Sequence, residues 1–455
     1  MRFFLIFFLC FFLACSSKNK NFQNPSIKNT QNLEAQFYAS LELKQNISEL
    51  SELKQSKKNS AKAYKDKFFY AWHIQPKIKN TQDIFWSFQI YLNPNKNYYF
   101  FNKKPIDKAY FKALIDNANT KDFLKLKKKA LVIENSFLRN IPTQTAILQN
   151  PFKNSEGVPF DYSLDSVLNV GSPVLISHYS KDKRYAFVLA ESGWGFVEAK
   201  NLTLFDERRA RTYENLNFLT PIKERVSVYD EKGKFAFEAR IGAIYPYYAE
   251  EKGYFLSKIG DKKVKLSKKH FSPFPLRFND TNVKTLLAQL LSRPYGWGGY
   301  DFERDCSLFV RDFFASFGVH LPRNSRAQSK ALKNFDVSFL NNRQKQDFIT
   351  KFAKPYESLL GMKGHIMLYV GKVQDENAAI HAVWGLRTQD DGRLLIAQTA
   401  LTSLDIGKND DRIKAEDLLL SKIDLISFIS LSEAQSKQIK EYLNQIEQKT
   451  NQGKK

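Results

Sequence analysis

At 455 residues, with 43% hydrophobic and 14% aromatic content, the chain is too long for one ordinary core and too apolar for low-complexity disorder. About three domains are expected from such a length. The formal net charge of +23 is carried by lysines spread along the whole chain; with no zinc-finger spacing and no arginine-rich recognition stretch, no nucleic-acid partner is expected.

Met1 and Arg2 give a short positive start, and residues 3–13 form an almost unbroken apolar run. That run is too short to span a bilayer comfortably and reads as a signal peptide, residues 1–14. The ending Phe12-Leu13-Ala14-Cys15 resembles a bacterial lipobox. The resemblance implies cleavage before Cys15, lipidation of its thiol and new amine, and membrane anchoring by acyl chains in place of a transmembrane helix. Ser16 after the cysteine implies sorting to an outer membrane, facing the periplasm. Residues 15–32, rich in Asn, Lys, Ser and Gln, read as the lipidated cysteine and its flexible tether.

Residues 33–135 are expected to be a helical domain. Its helices are sought in the polar stretch 36–63 and in 106–126, where Pro105 suits a first turn. Phe85, Trp86, Phe88 and Tyr91 are expected to form its core. Beyond it, short strand-like runs alternate with turn residues, as in Gly171-Ser172-Pro173 and Gly193-Trp194-Gly195. Two successive small β-barrels are expected, 136–214 and 215–275, with the lysine-rich 258–270 as a hairpin or a linker. A last domain, 276–455, mixes helix and strand. Helices are expected at 283–291, at 306–317 with Gly318 ending it, and after the capping box that begins at Ser432. Strands are expected at 365–370 and 378–384.

Cysteine usage points to chemistry. The chain has Cys10, Cys15 and Cys306. Once the leader is removed and Cys15 is lipidated, only Cys306 keeps a thiol, and it has no disulfide partner. Asp305 can cap the helix that Cys306 opens, and a thiolate is favoured in such a first turn. The glycines at 296, 298 and 299 would let a substrate backbone approach closely. Of six histidines, His365 and His381 fall on two adjacent predicted strands, where one can face the thiol and the other orient it. His320 is a rival base, but it lies at the far end of the Cys306 helix. No two His or Cys residues have metal-ligand spacing, so neither metal nor cofactor is expected.

Pro294-Tyr295-Gly296-Trp297-Gly298-Gly299, Asp305-Cys306-Ser307, Leu321-Pro322-Arg323-Asn324-Ser325 with Gln328, the run 364–371 and His381-Ala382-Val383-Trp384-Gly385 stand together in this order. They resemble the NlpC/P60 family of papain-like cell-wall cysteine peptidases. The resemblance implies a multidomain α+β chain: a papain-like catalytic domain preceded by two SH3-like barrels and a helical N-terminal region. It implies Cys306 as nucleophile, His365 as base and His381 as the orienting residue, with Tyr295, Asp305 and Ser307 lining the substrate site. The implied reaction is hydrolysis of the bond between γ-D-glutamate and a diamino acid, meso-diaminopimelate, in peptidoglycan stem peptides. Leu308 stands where many members have Gly. A degenerate wall-binding lipoprotein, or an amidase or acyltransferase on the same scaffold, are the alternatives.

Overall fold

The computed structural model describes residues 41–452 except 79, 153–155 and 391. The expected signal peptide, the lipidated Cys15 and the tether lie outside the described residues. Among the described residues no helix is long and apolar enough to cross a membrane.

The expected helix over 36–63 does not form over 41–60; only its last three residues are helical, as the start of a later helix. Residues 41–60 carry only a short 3-10 turn, Ile47–Glu49, and otherwise run as an extended strap along the C-terminal domain. The stretch lacks an apolar stripe of helical period, and its polar groups find partners outside itself. The Gln45 amide pairs both ways with the Leu401 backbone, at 2.7 and 2.8 Å. Lys57 N–H donates to Phe278 O at 3.0 Å, and Tyr356 Oη donates to Ser51 O at 2.5 Å. Leu43 and Leu50 bury themselves in the same core as Cys306.

Helices follow at Ala61–Phe68, Trp86–Leu92 and Lys108–Asn117. The last is shorter than the expected 106–126 and is capped by Asp107, whose side chain accepts Ala109 N–H at 2.8 Å; Asn119, with φ +53°, turns the chain away beyond it. Phe85, Phe88 and Tyr91 are buried as expected, but Trp86 is 50% exposed, because a helix that buries 85, 88 and 91 turns 86 outward. Their core is shared with Phe187 and Phe196, so this region packs onto the first barrel.

That barrel is a seven-stranded antiparallel sheet in the order Leu164–Leu168, Ser136–Arg139, Gly193–Glu198, Tyr185–Ala190, Pro173–Tyr179, Lys128–Val132, Leu202–Leu204. Its opening strand, Lys128–Val132, falls in a stretch the sequence assigned to the helical domain. The helix Glu207–Asn215, capped by Asp206, joins it to a second set of short strands from Asn217–Pro221 to Phe271–Pro273. The lysine-rich piece is a hairpin: Tyr254–Ile259 pairs with Lys262–Ser267 around Gly260 and Asp261.

The C-terminal unit is a six-stranded antiparallel sheet ordered Lys333–Asp336, Leu425–Phe428, Ser358–Met362, His365–Val373, Glu376–Arg387, Arg393–Ser403. Both faces are covered. Ile366, Leu368 and Val370 join Phe309 and Phe313 of the helix Cys306–Ser316 in one core. Met367 and Tyr369, on the alternate face, join Phe348 and Ile349 of the helix Asn342–Phe352 in another. The expected turn at Gly371-Lys372 lies three residues later, at Gln374 and Asp375, both with positive φ. The final helix, Glu433–Gln452, starts from the expected box, Ser432 Oγ accepting Gln435 N–H at 3.2 Å.

Candidate active site

Asp305 sets the start of the Cys306–Ser316 helix. Its Oδ1 accepts Leu308 N–H at 2.8 Å and its Oδ2 accepts Gly298 N–H at 3.0 Å, so one carboxylate caps the helix and ties down the loop in front of it. Arg323 grips both oxygens, at 3.1 and 2.6 Å, and also donates to Ser307 Oγ at 2.7 Å and to Ser166 Oγ of the first barrel at 3.1 Å. Burial alone would raise the Asp305 pKa, but Arg323 and the backbone donors outweigh it and hold the group below the usual carboxylate range. Asp305 and Ser307, expected to line the substrate site, thus spend these hydrogen bonds on shaping the helix start.

The Cys306 thiol is buried and takes the N–H groups of Ile366 and Ser307, which places it beside His365 at the start of the His365–Val373 strand. That strand's ladder to Glu376–Arg387 begins only at Leu368, which leaves the Ile366 N–H free for sulfur. His365 Nε2 lies 2.7 Å from His381 Nδ1, and His381 Nε2 lies 3.0 Å from Thr402 Oγ1. If His381 donates to Thr402 and accepts from His365, then His365 Nδ1 is left with its lone pair; this tautomer is an assignment made from the network.

Burial works against the thiolate that the helix start favours. Burial first, then the Asp305 charge, push the thiol up to about 12, while burial brings His365 down to about 4. His381 is lowered further, by burial and by His365. Each shift favours the neutral form of its own group, so burial opposes a standing ion pair and ionisation is expected to come with proton transfer. Both groups titrate outside the neutral range, His365 charging only as pH falls toward 4 and Cys306 only as pH rises toward 12. Alkylation of Cys306 by iodoacetamide is thus expected to climb about tenfold per pH unit between about pH 6 and 10. A rate already on a plateau below pH 7 would instead mean a standing thiolate–imidazolium pair.

Tyr295 is held by its backbone, its N–H donating to Ala397 O at 2.9 Å. Burial, then Cys306 and Asp305, keep its hydroxyl protonated far above neutrality, so it is a donor next to the thiol. The loop after it presses on the first barrel. Gly298 and Gly299 have φ of +66° and +94°, and a Cβ on them would stand 2.5 Å from Leu164 O and 2.5 Å from Val167 Cγ1. These glycines therefore admit the strand Leu164–Leu168, where the sequence had them admitting substrate.

The first barrel also supplies residues that sequence reading missed. Phe160 contacts the rings of Tyr295, Trp297 and Trp384, at 6.1, 5.9 and 5.3 Å between centroids. Asp165, a partly exposed carboxyl that burial raises to about 6, feels the Arg323 charge. No local signal marks either residue, because both reach the site only through domain packing. Thr402 was missed for a related reason, being brought in by the neighbouring strand. His320 is not at the site: it pairs with Glu191 at 2.5 Å beyond the other end of the helix.

Residues 292–391, which hold Tyr295, Cys306, His365 and His381, match the NlpC/P60 family. The chain carries an NlpC/P60 domain. Residues 4–123 match the NLPC_P60 stabilising domain, 147–198 an SH3 domain of SH3b1 type and 206–252 an SH3 domain of SH3b2 type, so the fold is a mixed α+β chain with two SH3b domains and an NlpC/P60 domain. An NlpC/P60 endopeptidase from Photobacterium damselae subsp. piscicida superposes with a TM-score of 0.75 at 22% identity, covering 87% of this chain and 99% of its own. An NlpC/P60 family protein from Bacillus cereus ATCC 10987 gives a TM-score of 0.46 at 16% identity, over 66% of this chain and 100% of its own. Among curated proteins, the gamma-D-glutamyl-L-lysine dipeptidyl-peptidase of Bacillus subtilis (strain 168) is 30% identical over 155 residues, 33% of this chain. The chain spans about half the length of that relative, 49%.

Proposed function

We propose that this protein is a cysteine peptidase of the cell wall that hydrolyses the bond between γ-D-glutamate and the diamino acid, meso-diaminopimelate, of peptidoglycan stem peptides. The observation that carries the reading is the Cys306 thiol at the N–H of Ile366, the residue next to His365, together with the contacts from His365 through His381 to Thr402 and the Tyr295 hydroxyl whose pKa the thiol raises. Similarity over 155 residues to a gamma-D-glutamyl-L-lysine dipeptidyl-peptidase, beside the NlpC/P60 match, supports the substrate class.

Cys306 Sγ attacks the γ-D-glutamyl carbonyl carbon while His365 takes the thiol proton. The Cys306 N–H and the Tyr295 hydroxyl donate to the oxyanion. The C–N bond breaks, His365 returns the proton to the leaving amine of the diamino acid, and a thioester remains. Water gives a proton to His365 and attacks the thioester carbon; the C–S bond breaks and the thiol is restored. His381 keeps the His365 ring oriented through both halves. Asp305 and Ser307 act with Arg323 at the rim of the substrate site. The reading also has Cys15 lipidated and the enzyme anchored to an outer membrane, facing the periplasm; the lipobox-like ending at Cys15 supports it.

Digestion of purified muropeptides, crosslinked and uncrosslinked, followed by mass spectrometry tests the proposal. The expected product carries a new free amine on the diamino acid. Loss of an acyl group would point to an amidase or acyltransferase, and unchanged muropeptides to a binding protein; either result overturns the peptidase reading.

A further inference from the structure

The second barrel contributes no side chain to the Cys306–His365–His381 array, yet it is bolted to the residue just before the nucleophile's cap. Arg304 is buried and its guanidinium makes four hydrogen bonds. Nη1 and Nη2 bind the two oxygens of Glu224 at 2.7 and 3.2 Å, Nη2 also donates to Ile241 O at 2.9 Å, and Nε donates to Asp312 Oδ2 at 2.8 Å. Glu224 and Ile241 belong to the second barrel, whereas Asp312 lies on the Cys306–Ser316 helix. Glu224 is fixed in turn, accepting Ile241 N–H at 2.9 Å and lying 3.9 Å from the Arg240 guanidinium. Gly242, with φ +93°, brings the barrel so close that a Cβ would meet Asp312 Cβ at 2.6 Å. The Arg304 backbone meanwhile accepts Gly296 N–H at 3.1 Å and bridges to Tyr295.

We infer that Glu224 is a positioning residue for catalysis: through the Arg304 clamp, the second barrel sets where Cys306 and Tyr295 stand relative to each other. One guanidinium joins the barrel to the middle of the nucleophile's helix, while the same residue's main chain holds the Tyr295 segment and leads directly into Asp305 and Cys306. The two oxyanion donors proposed above, the Cys306 N–H and the Tyr295 hydroxyl, are therefore referenced to a common post that lies outside the catalytic domain. A fork of two parallel hydrogen bonds fixes direction as well as distance, which a lone lysine or an apolar contact would not do. The inference rests on the proposed peptidase function only for its kinetic readout.

The test compares full-length Glu224→Gln and Glu224→Asp with the native protein, counting folded molecules by near-ultraviolet circular dichroism. Glu224→Gln removes the charge opposite Arg304; Glu224→Asp keeps the charge and shortens the reach. Two quantities are read per folded molecule: turnover of a γ-D-glutamyl muropeptide, and the rate of Cys306 alkylation by iodoacetamide. In Glu224→Gln kcat is expected to fall on the order of tenfold to a hundredfold with KM within about twofold. Alkylation is expected to slow in parallel, and Glu224→Asp to recover part of both. Native turnover and native alkylation per folded molecule in both variants, whatever their melting temperatures, would overturn the inference. If the native protein cleaves no muropeptide, the peptidase reading falls, while the alkylation comparison still decides the role of Glu224.

Discussion

Cys306→Ala is expected to abolish muropeptide cleavage, a loss of roughly 10⁵-fold or more in kcat, as removal of a covalent nucleophile does where its partners act as a unit. The fold should barely register the change. Cys306 is buried among Phe309, Ile366 and Leu368, and its sulfur behaves there as a small apolar group, so truncation costs about 1 kcal/mol. The thermal melt should therefore move by only a degree or two in a chain of this size, by roughly the scaling of melting entropy with length. Turnover by the folded variant at the native rate would remove Cys306 from the mechanism. His365 has no substitute at the site, because His320 is committed to Glu191 at the far end of the same helix.

Arg323→Ala is expected to give the largest stability loss of any single change at the site, about 3–5 kcal/mol, the cost of breaking a buried ion pair by removing one partner. Asp305 is only 9% exposed and Arg323 13% exposed at the side chain, and the arginine supplies two of the carboxylate's donors. Its removal leaves a charged cap in low dielectric, at the helix start that carries Cys306, and also cuts the link to Ser166 on the first barrel. Arg323→Lys should fall between, since an ammonium cannot match the fork to both oxygens. Asp305→Asn combined with Arg323→Ala should recover part of the loss, because no unpaired charge then remains. Urea unfolding measures all four proteins. An Arg323→Ala variant within about 1 kcal/mol of native would mean that water had entered and replaced the pair.

Particular residues mark how far the sequence reaches. The Cys306–Ser316 helix with its Asp305 cap, the His365 and His381 strands and the Ser432 box are each written locally, as a cap, an alternation or a fixed spacing, and they are legible for that reason. The strap at 41–60 was misread as helix because its stabilising partners, Leu401, Phe278 and Tyr356, lie more than 200 residues away. Trp86 was counted into the core because a cluster of aromatics does not say which face of a helix points in. The glycines at 298 and 299 were recognised as demanding close approach, but what approaches is a strand of the first barrel.

The electrostatic state of the site divides in the same way. A cysteine at a helix start reads as a thiolate when only the helix is considered, because backbone N–H groups and the dipole are local. Whether the thiol ionises depends on how much water the folded domains leave around it, and burial here raises its pKa despite the N–H groups of Ile366 and Ser307. The sequence by itself thus determined the identity and order of the reacting groups and the elements that carry them, since these follow from short-range propensities and spacing. Only the tertiary structure decided which domain packs against the site, that Arg323 neutralises Asp305, that Glu224 holds Arg304, and that burial opposes ionisation of the thiol. Each of those depends on the distance between residues remote in the chain and on the dielectric their packing creates, and neither quantity is encoded at any one position.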